Sequence, residues 1–176
     1  LALIVGACDV VNPAAVDTEG TPISGMPILR ADEARHAVVL NLDEKPGYSG
    51  VPNTLYDRPK TILLFGDAKA TLQQLSAAVS DACELPLGTA DSAAADSASS
   101  LDPLAQAALI AKDAESVIII PGYGMALAHA APEVVALGRS LEKMGKDVRY
   151  AVHPVAGRMP GHMHVLLSEV EIPYER

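Results

Sequence analysis

Three short apolar runs in this chain end at a glycine, and no other feature constrains the fold as tightly. Ala2–Val5 runs into Gly6, Thr61–Phe65 into Gly66, and Ser116–Ile120 through Pro121 into Gly122. Such runs, with glycine closing each one, have the pattern of buried parallel strands, which are apolar on both faces. Ala37–Leu42 makes a fourth run and Val148–Val152 a fifth. Helical periodicity fills several of the gaps. Ala68–Ala82 sets Leu72, Leu75, Ala78 and Val79 on one face, and Val134–Met144 does the same with Val134, Leu137, Leu141 and Met144 before Gly145 stops it. Pro160–Val170 reads as a shorter helix carrying Met163, Leu166 and Leu167. Strand and helix in alternation predict an α/β fold, a Rossmann-like doubly wound and mainly parallel sheet with right-handed crossovers.

The residues available for a core agree with this. The chain has no tryptophan and one phenylalanine in 176 residues, so its 49% hydrophobic content is mainly Ala, Val, Leu and Ile, the filling of helices on parallel strands. A formal charge of −9, with no Lys/Arg run, argues against nucleic acid as a partner. Cys8 and Cys83 form no C-x-x-C pair and are expected to be reduced thiols in a cytosol-like compartment. No apolar run approaches the roughly 20 residues that cross a bilayer, so this piece is expected to be soluble. It opens at Leu1 directly inside a strand-like run, as an excised part of a longer protein would, and an anchor elsewhere is compatible with that.

Residues 84–102 break the pattern with small and acidic residues that offer almost nothing to bury. The stretch reads as a flexible Ala/Ser/Asp linker between 1–83 and 103–176. Neither piece has enough strands for a comfortable sheet, so both are expected to complete one sheet in a single dinucleotide-binding domain, 1–176.

Chemistry concentrates at the strand ends. Ser116 to Ala128 reads as a strand, a glycine turn at Gly122-Tyr123-Gly124, and a helix start through Met125 and Ala126. Glycines there allow backbone to approach a pyrophosphate, and a helix N-terminus supplies free N–H groups. Taken alone, the same residues also suit a tight turn with no ligand. The third glycine of the usual fingerprint is replaced by Leu127, and the following strand ends at His153 with no acid for the ribose hydroxyls. Gly6-Ala7-Cys8-Asp9 and Gly66-Asp67-Ala68-Lys69 repeat the turn on two other strands, placing three loops along one sheet edge. Glu19–Pro27, through Gly25 and Met26, suits either a lid or a passive connection. His162 and His164 are two apart and make a poor metal pair on a helix, so no metal site is expected. His153, before a proline, reads as a structural histidine. No Ser-His-acid or nucleophilic cysteine arrangement supports hydrolysis.

The longer blocks are distinctive. Pro121-Gly-Tyr-Gly-Met-Ala, His153-Pro-Val-Ala-Gly-Arg-Met-Pro-Gly-His-Met, Gly6-Ala-Cys-Asp-Val-Val-Asn-Pro-Ala-Ala, Ser24-Gly-Met-Pro-Ile-Leu, Gly47-Tyr-Ser-Gly-Val and Phe65-Gly-Asp-Ala-Lys closely resemble the NADP(H)-binding domain of proton-translocating nicotinamide nucleotide transhydrogenase. The resemblance covers nearly everything outside the linker. It implies a Rossmann-like domain on the cytosolic side of a membrane, or on the matrix side of the mitochondrial one, holding NADP(H). Hydride would pass to or from NAD(H) on a partner domain, coupled to proton movement through a membrane domain.

By motif, the resemblance places Gly122, Tyr123, Gly124, Met125 and Ala126 at the pyrophosphate. Val155, Ala156, Gly157, Arg158, Met159 and Pro160 would line the dinucleotide. Gly6, Ala7, Asp9 and Asn12 would lie toward the nicotinamide, with Asp9 positioning it, and Gly25 and Met26 would belong to the lid. Gly47, Tyr48 and Gly50, with Gly66 to Lys69, would embrace the adenosine.

Two departures stand out. The blocks are in exchanged order, which reads as a circular permutation, and the family's extra edge strand has no equivalent. The family's cationic Lys-Arg-Ser clamp on the 2′-phosphate aligns with Asn41-Leu42-Asp43, so NAD(H) becomes a credible ligand in place of NADP(H). Two readings follow: a transhydrogenase component, or a non-catalytic module sensing NAD(H) or another adenine nucleotide.

Overall fold

A computed structural model describes residues 1–84, 102–156 and 162–169. The expected linker and Gly157–Pro160 lie largely or wholly outside the described residues. Five strands form: β1 (Ala2–Val5), β2 (Ala37–Asn41), β3 (Thr61–Phe65), β4 (Ser116–Pro121) and β5 (Asp147–Tyr150). All pair in parallel, in the order β3-β2-β1-β4-β5. This is an α/β fold of Rossmann-like type, and β1 and β4, from opposite sides of the expected linker, are hydrogen-bonded neighbours at its centre.

The helices are α1 (Ala14–Asp17), α2 (Ala68–Glu84), α3 (Pro103–Asp113), α4 (Tyr123–Leu127), α5 (Ala131–Lys143) and α6 (His162–Glu169). From β1 the chain steps outward to β2 and β3, then returns past β1 to β4 and β5. Right-handed crossovers running in opposite directions lie on opposite faces of a sheet, and the core divides accordingly. Leu3, Val5, Val38, Leu40, Val117 and Ile119 meet Leu72 and Leu75 of α2, Ala107 and Ala111 of α3, Leu137 and Leu141 of α5, and Met163 and Leu167 of α6. Ala2, Ile4, Ala37, Val39 and Ile120 face the other way, onto Val11, Ala31 and Leu55.

The second face is therefore closed by short turns and loops rather than helices. Its two crossovers carry Pro13, Pro22 and Pro27, then Pro46, Pro52 and Pro59, and proline interrupts a helix by removing an N–H and clashing with the preceding turn. The only regular pieces there are 3₁₀ turns at Asp9–Val11 and Ala31–Glu33 and the single turn of α1. Helix α3 was not expected from periodicity; Ala107, Ala108 and Ala111 pack it, and alanine marks no clear apolar stripe. No helix among the described residues is long and apolar enough to cross a membrane.

Candidate functional site: a cleft between two glycine turns

The turns after β1 and β4 cross in contact. The Gly122 N–H donates to the Val5 carbonyl at 2.8 Å, extending the ladder one residue past β4, and the Gly124 N–H donates to the Gly6 carbonyl at 2.9 Å. A Cβ on Gly122 would lie 2.3 Å from the Gly6 carbonyl oxygen, and one on Gly6 would lie 2.2 Å from the Met125 nitrogen. Gly6 also has φ of 68°, in the left-handed region where a side chain is strained. Glycine is thus required at 6 and 122 by the protein's own backbone. The expectation of free N–H groups at the start of α4 is corrected: those of Gly122, Gly124 and Met125 all have backbone acceptors, the last being the Gly122 carbonyl at 3.1 Å.

A cleft of about 810 Å³ opens above this crossing, at the C-terminal edge of the sheet where the strand order reverses. Open α/β sheets bind ligands at this position. Gly6, Ala7, Cys8, Asp9 and Val10 line it from the first turn, and Gly122, Tyr123 and Gly124 from the second. Met26, Gly47, Tyr48, Val155 and Ala156 complete the wall. Tyr48 and Val155 are exposed, so the rim is partly apolar. A second hollow, about 570 Å³, lies at the opposite edge around Leu1, His36 and Ser116; it has no glycine turn and sits at the strand N-termini.

Several residues expected at the ligand also hold the walls. Asp9 lines the cleft, but its carboxylate accepts the Ser49 N–H at 2.9 Å and the Ser49 hydroxyl at 2.7 Å, tying the 47–50 loop to the first turn. Gly47 fits because a Cβ there would lie 2.8 Å from an Asp9 carboxylate oxygen. Asn12 is fully buried rather than in the cleft. Its amide donates to the Pro52 carbonyl at 3.1 Å, and its oxygen accepts the N–H groups of Ala14 at 3.0 Å and Thr54 at 3.3 Å.

The 19–27 loop is ordered by its own contacts. Ser24 Oγ donates to the Thr18 carbonyl at 2.7 Å, Gly25 N–H donates to Ala15, and Ile23 packs into a small core with Ala14, Ala15 and Val51. Met26 brings the loop to the cleft, whereas Gly25 supplies a left-handed turn with φ of 76°. His153, buried behind Val155, takes the Val155 N–H on Nδ1 at 3.3 Å; Nε2 then carries the proton and donates to the Pro27 carbonyl at 2.8 Å. His153 is a structural tie between the 153–155 segment and the 19–27 loop, as read from the sequence.

The block after β3 does not line the cleft. Gly66 has φ of 144°, Asp67 caps α2 by accepting the Ala70 N–H at 3.0 Å, Ala68 is buried, and Lys69 pairs with Glu133 of α5 at 3.4 Å. Met125 is wholly buried in the core, Ala126 packs beside it, and Gly50 makes a turn back to Gly47. Asp43, two residues past β2, pairs with Lys45 at 3.1 Å, which holds its carboxyl below the usual range.

Sequence reasoning did not single out Cys8 or Val10 as lining residues. Cys8 is a free thiol; burial pushes it up, against the hydrogen bond of Tyr56. Its neighbours form a small polar knot: Asn41 donates to the Ala7 carbonyl at 3.0 Å and to the Tyr56 hydroxyl at 2.6 Å, and Asn53 donates to the Cys8 carbonyl at 3.1 Å. The only signal for Cys8 was its place two residues after Gly6. Among the described residues, no cluster of His, Cys, Asp and Glu could hold a metal ion.

An open parallel sheet with its cleft between glycine turns at the switch point defines a Rossmann-like α/β domain. The chain belongs to the NAD(P) transhydrogenase beta subunit family, whose model matches residues 1–78 and 87–176. Two similar proteins, each described as NAD(P) transhydrogenase subunit beta and both from Rhodospirillum rubrum, are 48% identical over 89 residues, 51% of this chain. The matched stretch is only 19% of each relative's length.

Proposed function

We propose that the cleft holds a nicotinamide adenine dinucleotide and that the chain is the dinucleotide-bearing component of a transhydrogenase assembly. One observation carries this reading: the backbone crossing of Gly6, Gly122 and Gly124 floors a cleft of about 810 Å³ at the switch point, within the size range of small-molecule sites. Side-chain-free backbone along that floor leaves room for a pyrophosphate, and the apolar surface of Met26, Tyr48 and Val155 suits flat rings. When bound, the dinucleotide supplies the hydride chemistry at its nicotinamide. The protein's part is orientation and exclusion of water, for which neither an acid–base pair nor a nucleophile is needed. Asp9 acts through Ser49 to hold the 47–50 wall, and His153 holds the 19–27 loop against the 153–155 segment. The NAD(H)-bearing partner domain, a membrane domain and a position on the cytoplasmic side of that membrane belong to the same proposal.

The exchanged order of the two halves belongs to it as well. An 89-residue match taking about half the chain, beside a family match to both halves, is what exchange produces. Strand order supports it physically. Either β1 or β4 can lead a half-sheet, because they are parallel neighbours at the centre.

The test is hydride transfer. This chain, loaded with reduced dinucleotide and mixed with an NAD(H)-binding transhydrogenase domain carrying an oxidised nicotinamide analogue, is expected to reduce the analogue. Binding without transfer would overturn the enzymatic part and favour a sensing module, a reading to which the carboxylate of Asp43, where the family has a cationic clamp, already lends weight.

A further inference from the structure

The end of β2 presents a choice between two kinds of adenosine ribose. It adjoins the first glycine turn directly: the Gly6 N–H donates to the Leu40 carbonyl at 2.9 Å, and Asn41 donates to the Ala7 carbonyl at 3.0 Å. An acid just beyond the strand beside a glycine turn is where dinucleotide folds accept hydrogen bonds from a ribose diol. Asp43 follows the last residue of β2 by two positions and lies outside the lining of the cleft itself.

Among the described residues, the lysines that follow β2 and β3, Lys45 and Lys69, are both engaged. Lys45 Nζ lies 3.1 Å from the Asp43 carboxylate and Lys69 Nζ lies 3.4 Å from Glu133. Arg30 pairs with Asp32, Arg58 pairs with Asp17, and Arg35 lies at the hollow on the opposite sheet edge. If Lys45 left Asp43 for a 2′-phosphate, an unneutralised carboxylate would remain beside that phosphate.

Donors at the strand end are committed too. Both N–H bonds of the Asn41 amide are used, by Ala7 and Tyr56; the Ala7 carbonyl fixes which way the amide faces, and Asn41 Oδ1, buried, has no partner among the described residues. The Lys45 N–H goes to Asp43, and the Ser49 N–H and hydroxyl go to Asp9. A phosphate dianion only accepts hydrogen bonds, whereas a hydroxyl also donates. This strand end is stocked with acceptors.

We propose that the carboxylate of Asp43, two residues beyond β2, whose end adjoins the Gly6 turn, selects a dinucleotide whose adenosine ribose has a free 2′-hydroxyl, NAD(H), over its 2′-phosphorylated counterpart. The inference rests on the dinucleotide reading of the cleft and not on the transhydrogenase part of that proposal. Titration of the full chain with NADH and with NADPH, followed by calorimetry, tests it. NADH is expected to bind at least about tenfold more tightly, the factor of losing one hydrogen bond to a charged group. Asp43→Arg is expected to shift the ratio toward NADPH, and Asp43→Asn to narrow it while leaving the fold intact. NADPH binding as tightly as NADH, or more tightly, to the unaltered chain would overturn the preference and leave the dinucleotide reading standing. Failure of both to bind would overturn the two together, and an unchanged ratio in Asp43→Arg would remove Asp43 from the ribose site.

Discussion

The Gly124 N–H donates to the Gly6 carbonyl at 2.9 Å, while a methyl group on Gly6 would stand 2.6 Å from the Gly124 Cα. Two loops from strands more than a hundred residues apart in sequence are thereby locked with no side chain between them. Gly6, Gly122 and Gly124 are first a packing requirement and, through packing, the floor of the cleft.

Gly6→Ala and Gly122→Ala are expected to destabilise the domain by about 3 kcal/mol or more, because the added carbon meets backbone that cannot rotate away. Gly20→Ala, where nothing lies within 4 Å but φ is 78°, is expected to lose only about 1 kcal/mol. Urea midpoints compare the three. Equal losses at 20 and 122 would show that the loops do not cross closely.

His153→Ala removes the acceptor for Val155 and the donor to Pro27. A stability loss of about 1–2 kcal/mol is expected. The more telling readout is hydrogen exchange, which should accelerate within residues 19–27 and leave β1 and β4 protected. Uniform acceleration would mean that His153 supports the sheet rather than the loop.

Cys8 lines the cleft with its thiol pushed up by burial. Its thiolate therefore forms only above the usual cysteine range, and alkylation at pH 8 is expected to be slower than for free cysteine and to climb as pH rises further. A bound dinucleotide should slow it again. Site-resolved mass spectrometry separates Cys8 from Cys83, and protection of neither would place the ligand away from the first turn.

Asn12→Ala is expected to cost about 3 kcal/mol, since it strands several buried backbone groups at once. Dinucleotide affinity of the folded fraction should be unchanged. A loss of affinity larger than the loss of folded protein would return Asn12 to the ligand site that its motif suggested.

The five strands among the described residues were legible in the sequence as short apolar runs, three of them closed by glycine, and helices α2, α5 and α6 were legible from spacing. Helix α3 escaped because alanine packs without marking a face. The bare loop face was hidden because its prolines signal where a helix ends but not what covers the sheet instead. At the site, motifs located Gly6, Gly47, Gly122 and Gly124 but could not tell a ligand contact from a scaffold contact. Asp67 as a helix cap, Asp9 bound to Ser49 and Asn12 turned inward all depend on partners tens of residues away or on local caps that compete with ligand roles. Gly157, Arg158, Met159 and Pro160 lie outside the described residues.

The central claim is that a nicotinamide dinucleotide lies over the crossing of the two glycine turns. Backbone amide chemical-shift mapping of the full chain during titration with NADH tests it most directly. The largest shifts are expected at residues 6–10, 47–48, 122–124 and 155–156, the walls of the cleft. Shifts centred on Leu1, His36 and Ser116 at the opposite edge, or no saturable shifts at all, would contradict it.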